Sequence, residues 1–330
     1  MKNTKYLHFW MATVLLCLWG LAFPFFRKAF THEYYYMPFL GVIAATVANT
    51  TPAAAGIVYF PILTRLQIAP LAAVRFNLLI QAYGMGLGTI KWFLVNKRLF
   101  ILNVLPVCLL GGFIGVFTGI VLVPIDNPEL LTLIFNLVAF TLIQFIFFSI
   151  LFRYKYQKLA VELNLRNVII LFIFSVFGGL MTGWIGFGID TIFYFVLTVI
   201  FQINPAISII TSISLMAAMS LFGSLLNIIL HGVPFSLWYS AIPGVTLAGL
   251  FLATFIAIRL GPRNVLLLFT MLLSVDFFVT FWTQQAFPMT QVVRMIVTYS
   301  LVAYIIYIHI KVFKKGYDDM ENVLGSFGEI

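Results

Sequence analysis

The strongest constraint on this 330-residue chain is a pattern that occurs twice. An apolar stretch is interrupted by small polar residues, Gly and Pro, continues as a short apolar arm, and gives way to a proline that opens a long apolar helix. In the first half the interruption is Val47-Ala-Asn-Thr-Thr-Pro-Ala-Ala-Ala-Gly56, the arm runs to Leu66, and the proline is Pro70. In the second it is Gly178-Gly-Leu-Met-Thr-Gly-Trp-Ile-Gly-Phe-Gly-Ile-Asp190, the arm runs to Phe201, and the proline is Pro205. Non-helical backbone is tolerated at membrane depth only where protein buries it or where it lines a cavity. Paired interruptions at corresponding places in two halves are the sequence mark of a transporter's binding site.

The surroundings are those of a membrane. Hydrophobic residues make up 62% of the chain and charged residues 9%, and mean hydropathy is +1.08. A water-soluble globule of this composition would expose large apolar patches. Short segments of strand-like alternation are missing, which argues against an outer-membrane barrel. The net charge of +9 comes from basic residues scattered through short loops, a topology signal rather than a nucleic-acid footprint. Cys17 and Cys108 stand alone in apolar runs, and no spacing suggests a disulfide framework, a metal site or a cofactor. His8, His32, His231 and His309 fall mostly near membrane edges with no ligand spacing.

Continuous apolar segments long enough for a crossing, about 20 residues each, run over 7–25, 70–95, 99–123, 128–152, 205–230, 235–259, 262–285 and 290–312. The interrupted segments, 37–66 and 167–202, are too long for one simple crossing and too short for two. That length predicts a re-entrant hairpin at each. The expected fold is an all-α polytopic membrane protein with about 8 full crossings plus 2 hairpins. With the N-terminus inside, this arrangement puts Lys97 and Arg98, the basic stretch around 153–166, Arg259, Arg263 and the basic tail on the cytoplasmic side.

Three crossings between the hairpins give the second repeat the opposite orientation, so the halves are inverted repeats. One constant offset pairs Pro70 with Pro205, Asn77 with Ser212, Gly88 with Gly223 and Thr141 with Asp276. The expected organisation is an extra N-terminal transmembrane helix in 1–36, repeat 1 in 37–152, a cytoplasmic linker in 153–166, repeat 2 in 167–285, and a C-terminal transmembrane helix with a cytoplasmic tail in 286–330.

At a broken hairpin the first N–H groups of the outgoing half-helix lack helical partners and carry the positive end of its dipole, which makes them anion donors. The candidates are Asn49, Thr50 and Gly56 at the first break and Gly183, Gly186 and Gly188 at the second. Arg75, six residues into its helix, is costly at that depth unless it is paired or faces water, and is the candidate anion contact. Asn77 and Gln81 share one helix face, as do Ser208 and Ser212, with Thr211 beside them. Amides and hydroxyls so placed replace an oxyanion's hydration shell. Asp190 and Asp276 sit in apolar settings that disfavour a charged carboxylate, and are the candidates for proton coupling. The runs Gly111-x-x-x-Gly115-x-x-x-Gly119 and Gly84-x-x-x-Gly88 read as helix-packing seams.

These motifs resemble the TauE/SafE sulfite exporter family. Gly178-Gly-Leu-Met-Thr-Gly-Trp-Ile-Gly-Phe-Gly is similar to the family's glycine-rich break, and Ala206 to Thr211-Ser212 resembles its A-x-x-x-T-S signature. In the first half Gly56, Pro61 and Pro70-Leu-Ala-Ala match, while Phe76-Asn77 stands where Thr-Ser is expected. The resemblance covers roughly residues 37 to 285. It implies a secondary transporter, not an enzyme, that exports sulfite or an organosulfonate across the bacterial inner membrane, with membrane lipid as its surroundings and protons as a candidate coupling ion. An anion-permeable channel shares the same broken hairpins and stays open as an alternative. A membrane-embedded transferase would show a His/Asp cluster or paired carboxylates at an interface, and none is visible.

Overall fold

In the computed structural model, residues 2–151, 158–253 and 291–314 are described, together with positions 259, 270, 271, 274, 277 and 278. Most of the expected crossing at 262–285, including Asp276, and the tail from 315 therefore lie outside the described residues. The described chain is helical, with one isolated parallel bridge between Lys158 and Ile203. In order come α1 (Lys2–Lys28), α2 (Met37–Thr50), α3 (Gly56–Arg65), α4 (Pro70–Val95), α5 (Leu105–Phe117), α6 (Pro128–Leu151), α7 (Leu165–Ile185), α8 (Ile189–Phe195), α9 (Pro205–Leu230), α10 (Phe235–Leu247) and α11 (Gln291–Lys314). Among the described residues, five stretches are long and apolar enough to cross a membrane: His8–Glu33, Leu105–Leu122, Leu165–Ile185, Pro205–Leu230 and Phe235–Leu252. This is a polytopic membrane protein.

The helix boundaries follow local chemistry. Ala69 and Asn204 are extended, with ψ of 134° and 127°, because a following proline disfavours the α region. Pro70 and Pro205 then occupy the first helical turn, where a missing N–H costs nothing. Asn204 adds a cap by accepting from Ala206 N at 2.9 Å, and Asn164 caps α7 by accepting from Asn167 N at 2.9 Å. The apolar run expected to start at 99 becomes helical only at Leu105, after a short 3₁₀ turn over Lys97–Leu99. The N-terminal helix continues past the expected 25 to Lys28.

Both interruptions are narrower than the sequence pattern. The first leaves the helix at Thr51 and resumes at Gly56; the second is confined to Gly186, Phe187 and Gly188, while Gly178 and Gly179 stay inside α7. At 1.5 Å per residue, α2 and α3 are each shorter than a hydrocarbon core of about 30 Å, whereas α7, with 21 residues, is long enough to cross alone. After the second break α8 folds back on α7, since a methyl group on Gly178 would stand 2.8 Å from Ile189 Cα.

The chain forms two compact units. One takes residues 1–132 and 155–257; the other takes 133–154 and 258–330. Within the first, elements from the two sequence halves interlock. Helix α2 packs on α10, α5 on α7, and α4 on α9. Helices α4 and α9 run antiparallel: Arg75 near the start of α4 reaches His231 at the end of α9, and Ile101 beyond α4 meets Thr211 near the start of α9. The crossings are tight because glycines carry them. A methyl on Gly115 would overlap the Val176 carbonyl, and one on Gly244 would overlap that of Pro38. Helix α1 is held to α10 by a reciprocal pair: Trp19 Nε1 donates to Tyr239 O at 3.1 Å and the Tyr239 hydroxyl donates to Trp19 O at 2.7 Å, with the rings stacked at 5.3 Å. In the second unit the Tyr304 hydroxyl donates to Gln144 Oε1 at 2.9 Å and Phe140 stacks on Phe277 at 4.9 Å.

Gly244→Ala is expected to destabilise the protein by at least about 2 kcal/mol, because the added methyl meets backbone that cannot move aside. Gly86→Ala, with nothing within 4 Å of the new methyl, is expected to be neutral or stabilising by up to about 1 kcal/mol through helix propensity. Thermal unfolding in detergent, followed by size exclusion, measures both.

Candidate functional site

The two breaks meet. Thr191 in the first turn of α8 donates its hydroxyl to Pro52 O, inside the first break, at 2.8 Å. Gln81 of α4 donates Nε2 to Gly186 O, inside the second break, at 2.8 Å. A methyl on Gly56 would lie 3.1 Å from Asn77 Nδ2, 3.3 Å from Gln81 Nε2 and 3.4 Å from Gly186 O. A methyl on Gly186 would lie 3.0 Å from Asn77 Cβ. Asn77 is thus wedged between the glycines of both interruptions. It is fully buried, and neither its Nδ2 nor its Oδ1 has a hydrogen-bond partner.

Gln81 also lines a small cavity of about 10 Å³, close to the size of one water, together with Asn49, Ala55, Tyr59, Gly84 and Val245 among others. Three buried polar atoms on its lining residues are unpartnered: Asn49 Oδ1, Tyr59 Oη and Gln81 Oε1. The amide nitrogens are committed elsewhere, Asn49 Nδ2 to Ala45 O at 2.8 Å and Gln81 Nε2 to Gly186 O. Their oxygens are therefore left as acceptors. Asn49 fits only because residue 88 is glycine, since a methyl there would collide with Asn49 Oδ1. Gly84 and Gly88, expected as a helix seam, lie where α4 meets α10 and α2 and make room for the Val245 side chain and for this amide. The Tyr59 ring is held edge-on against Phe76 at 4.9 Å.

The second break supplies its own acceptors. Ile189 N donates to Thr182 Oγ1 at 3.1 Å, and Gly188 N approaches Asp190 Oδ1 at 3.4 Å. These are two of the N–H groups expected to hold an anion, and the chain satisfies them itself. Gly186 takes φ +78°, the left-handed C-cap of α7, and its N–H returns to Thr182 O at 3.0 Å. Asp190 is fully buried and its Oδ2 is unpartnered.

The structure brings together Gly56, Asn77, Gln81 and Gly186 from the expected set, and places the others differently; Asn49 lies farther along α4, against Gly88. Gly183 belongs to the packing seam between α5 and α7, where a methyl would lie 3.0 Å from Val116 O and 3.2 Å from Gly119 Cα. Arg75 is partly exposed and donates to His231 O at 3.2 Å, which neutralises the negative end of α9. It projects from the side of α4 away from Asn77, as two residues of helix require. Thr211 joins α9 to the loop before α5: it donates to Ile207 O at 2.8 Å and accepts from Ile101 N at 3.2 Å. Ser208, Ser212 and Thr50 turn their hydroxyls back onto Asn204 O, Ile209 O and Thr46 O. Gly188, with φ +137°, shapes the turn and presents its N–H to Asp190. The sequence reading missed Tyr59, Thr182 and Thr191. For Tyr59 the signal was present as a lone phenol in an apolar arm, whereas Thr182 and Thr191 give no signal apart from their partners.

Thr182→Val is expected to cost about 1–3 kcal/mol, because it leaves the buried Ile189 N–H without an acceptor. Thr182→Ser should retain most of the stability. Melting temperatures of the purified variants decide it.

A model of the sulfite exporter TauE/SafE family matches residues 37–277. No curated protein matches the chain, and no solved structure does. The matched stretch takes in both breaks and every residue grouped around Asn77, and it leaves α1 and α11 outside. With most of its length covered by that match, the chain belongs to the sulfite exporter TauE/SafE family, a family of membrane transporters.

Proposed function

We propose that this protein is a secondary transporter that moves a small anion of the sulfite or organosulfonate class out of a bacterial cell across the inner membrane, with both termini in the cytoplasm. The observation that carries the reading is Asn77: an amide with both ends unpartnered, fully buried, held where two broken helices touch. An unpaired buried amide is costly, and a ligand that pairs with it recovers that cost. The first turn of α3, beside Gly56, contributes the positive end of a helix dipole. An inside-negative potential favours anion exit by about 2.3 kcal/mol per charge per 100 mV.

Alternating access between inverted repeats is the mechanism we infer. Support comes from matched parts: α4 and α9 both open on a proline and run antiparallel, and α5 and α10 each end in a five-residue π-helical turn. The packing of α2 on α10 mirrors that of α7 on α5. In this scheme the cross-break bonds, Gln81 to Gly186 and Thr191 to Pro52, hold the tips together and break as the site opens. Asp190, buried beside the second break, is the proposed proton carrier; Asp276, the other candidate, lies outside the described residues.

Purified protein in liposomes should show saturable, counterflow-competent sulfite flux, which a channel would not. Asn77→Leu is expected to lower that flux at least ten-fold while the protein stays monodisperse. If Asp190 carries the coupled proton, an imposed pH gradient should drive flux in the wild type and not in Asp190→Asn. Unchanged sulfite flux in Asn77→Leu would overturn the site.

A further inference from the structure

Helix α9 carries two kinds of hydroxyl. Near its start Ser208, Thr211, Ser212 and Ser214 each donate to a carbonyl three or four residues earlier, at 2.8 to 3.0 Å, which is how a short polar side chain satisfies itself among apolar neighbours. Farther along, Ser220 and Ser224 are buried as fully, and neither Oγ has a hydrogen-bond partner. They stand four residues apart, with buried Asn227 three residues beyond and His231 four beyond that, so all four line one face of the helix up to its end. The other face carries Leu221 and Leu225, each about half exposed, as lipid-facing residues are.

The neighbours of α9 fix the level of this polar file. Gly112 of α5 lies against Met219, and Val116 and Ile120 lie against Gly223, so α5 and α9 run the same way. The seam between α5 and α7 advances in the same sense, from Gly111 at Phe172 to Gly119 at Leu180, which makes α7 and α9 parallel. Thr182 Oγ1 stands 3.9 Å from Met216 Sδ. One turn farther on, Gly186 of the second break and Ser220 therefore occupy the same level. From α4, Leu78 comes within 3.2 Å of a methyl placed on Gly223, and Leu78 follows Asn77 in sequence. Ser220 and Ser224 thus stand on either side of the turn of α9 that meets α4 beside Asn77, whose amide is open at both ends.

We propose, building on the transport reading above, that the face of α9 bearing Ser220, Ser224 and Asn227 is the second wall of the substrate site and the start of its path to the membrane surface where α4 begins and α9 ends. The serine hydroxyls donate to the oxygens of a small anion that Asn77 holds from the other side. The path ends at His231, whose carbonyl accepts from the partly exposed Arg75 at 3.2 Å. A positive charge therefore stands at the mouth, where it raises the local concentration of anions. The path is closed in this structure, since Ser220, Ser224 and Asn227 are all buried, and it opens as α4 and α9 separate.

Water access and substrate affinity test this separately, both on the full-length protein in liposomes. Ser220→Cys, Ser224→Cys, Asn227→Cys, Leu221→Cys and Leu225→Cys are treated with the anionic thiol reagent sulfonatoethyl methanethiosulfonate, and modification is read by intact mass against the wild type, whose own thiols are Cys17 and Cys108. The three cysteines of the file should react at least about ten-fold faster than the two lipid-facing ones, because the reacting thiolate forms only where water reaches it. In sulfite transport Ser224→Ala should raise KM about ten-fold, the loss of one hydrogen bond to a charged ligand, with the melting temperature unchanged. Ser214→Ala, whose hydroxyl is spent on Ile210 O, should shift KM less than about two-fold. File cysteines no more reactive than the lipid-facing pair, or an unchanged KM in Ser224→Ala, would overturn this inference and leave the transport reading standing. Failure of the wild type to move sulfite or a sulfonate would overturn the transport reading and this inference together. If a cysteine variant does not fold, Ser224→Ala alone decides.

Discussion

The backbone at the two breaks has to find its hydrogen bonds inside the protein, and the rest of the structure is arranged around that demand. A helix interrupted in water exposes its orphaned N–H and C=O groups to solvent; one interrupted in an apolar core has no such outlet. Here the outlets are side chains from neighbouring segments. Thr182 takes the Ile189 N–H, Gln81 takes the Gly186 carbonyl, and Thr191 takes the Pro52 carbonyl. Two of these three bonds run from one sequence half to the other, so each break is completed by the opposite half. This is why elements of both halves interlock within the first compact unit.

Glycine sets how closely that interlocking can be made. The α5–α7 crossing, with the turn that follows α5, brings Gly111, Gly115 and Gly119 against Phe172, Val176 and Leu180 at distances that leave no room for a methyl group, and Gly244 does the same where α10 meets α2. In lipid there is little hydrophobic gain from pressing two apolar helices together, so close backbone approach supplies the attraction. The seam on α7 ends at Gly183, three residues before the break. The glycine-rich stretch therefore serves two purposes in succession: its first part packs against α5 and its last part turns the chain.

Much of this was legible from residue order. Proline at 70 and 205, the glycine runs and the long apolar stretches fix helix starts, seams and spans, because each of those signals is local. Membership of the TauE/SafE family was also legible, from Gly178-Gly-Leu-Met-Thr-Gly and from Thr211-Ser212. What residue order did not carry was the choice of partner. The string around Gly183 does not say whether the glycine faces a ligand or α5. Arg75 reads as an anion contact until the antiparallel crossing brings the end of α9 beside it. Thr182 and Thr191 are ordinary threonines in an apolar run, and only the meeting of the two breaks gives them a role.

The difference between amides and hydroxyls explains which of the paired polar residues stay available. Ser208, Thr211 and Ser212 are short enough to donate back to carbonyls of their own helix, at 2.8 to 3.0 Å, and so largely satisfy themselves. An amide has two polar ends, and when Asn49 donates to Ala45 O its oxygen still needs a partner. Asn77 is positioned against both breaks and makes neither bond. Where the first half carries Phe76-Asn77 in place of Thr-Ser, it replaces side chains that close on their own helix with an aromatic ring that fixes Tyr59 and an amide that remains open. The two halves share a frame, and the open amide chemistry at the breaks comes from the first half, while the second adds the buried carboxyl of Asp190.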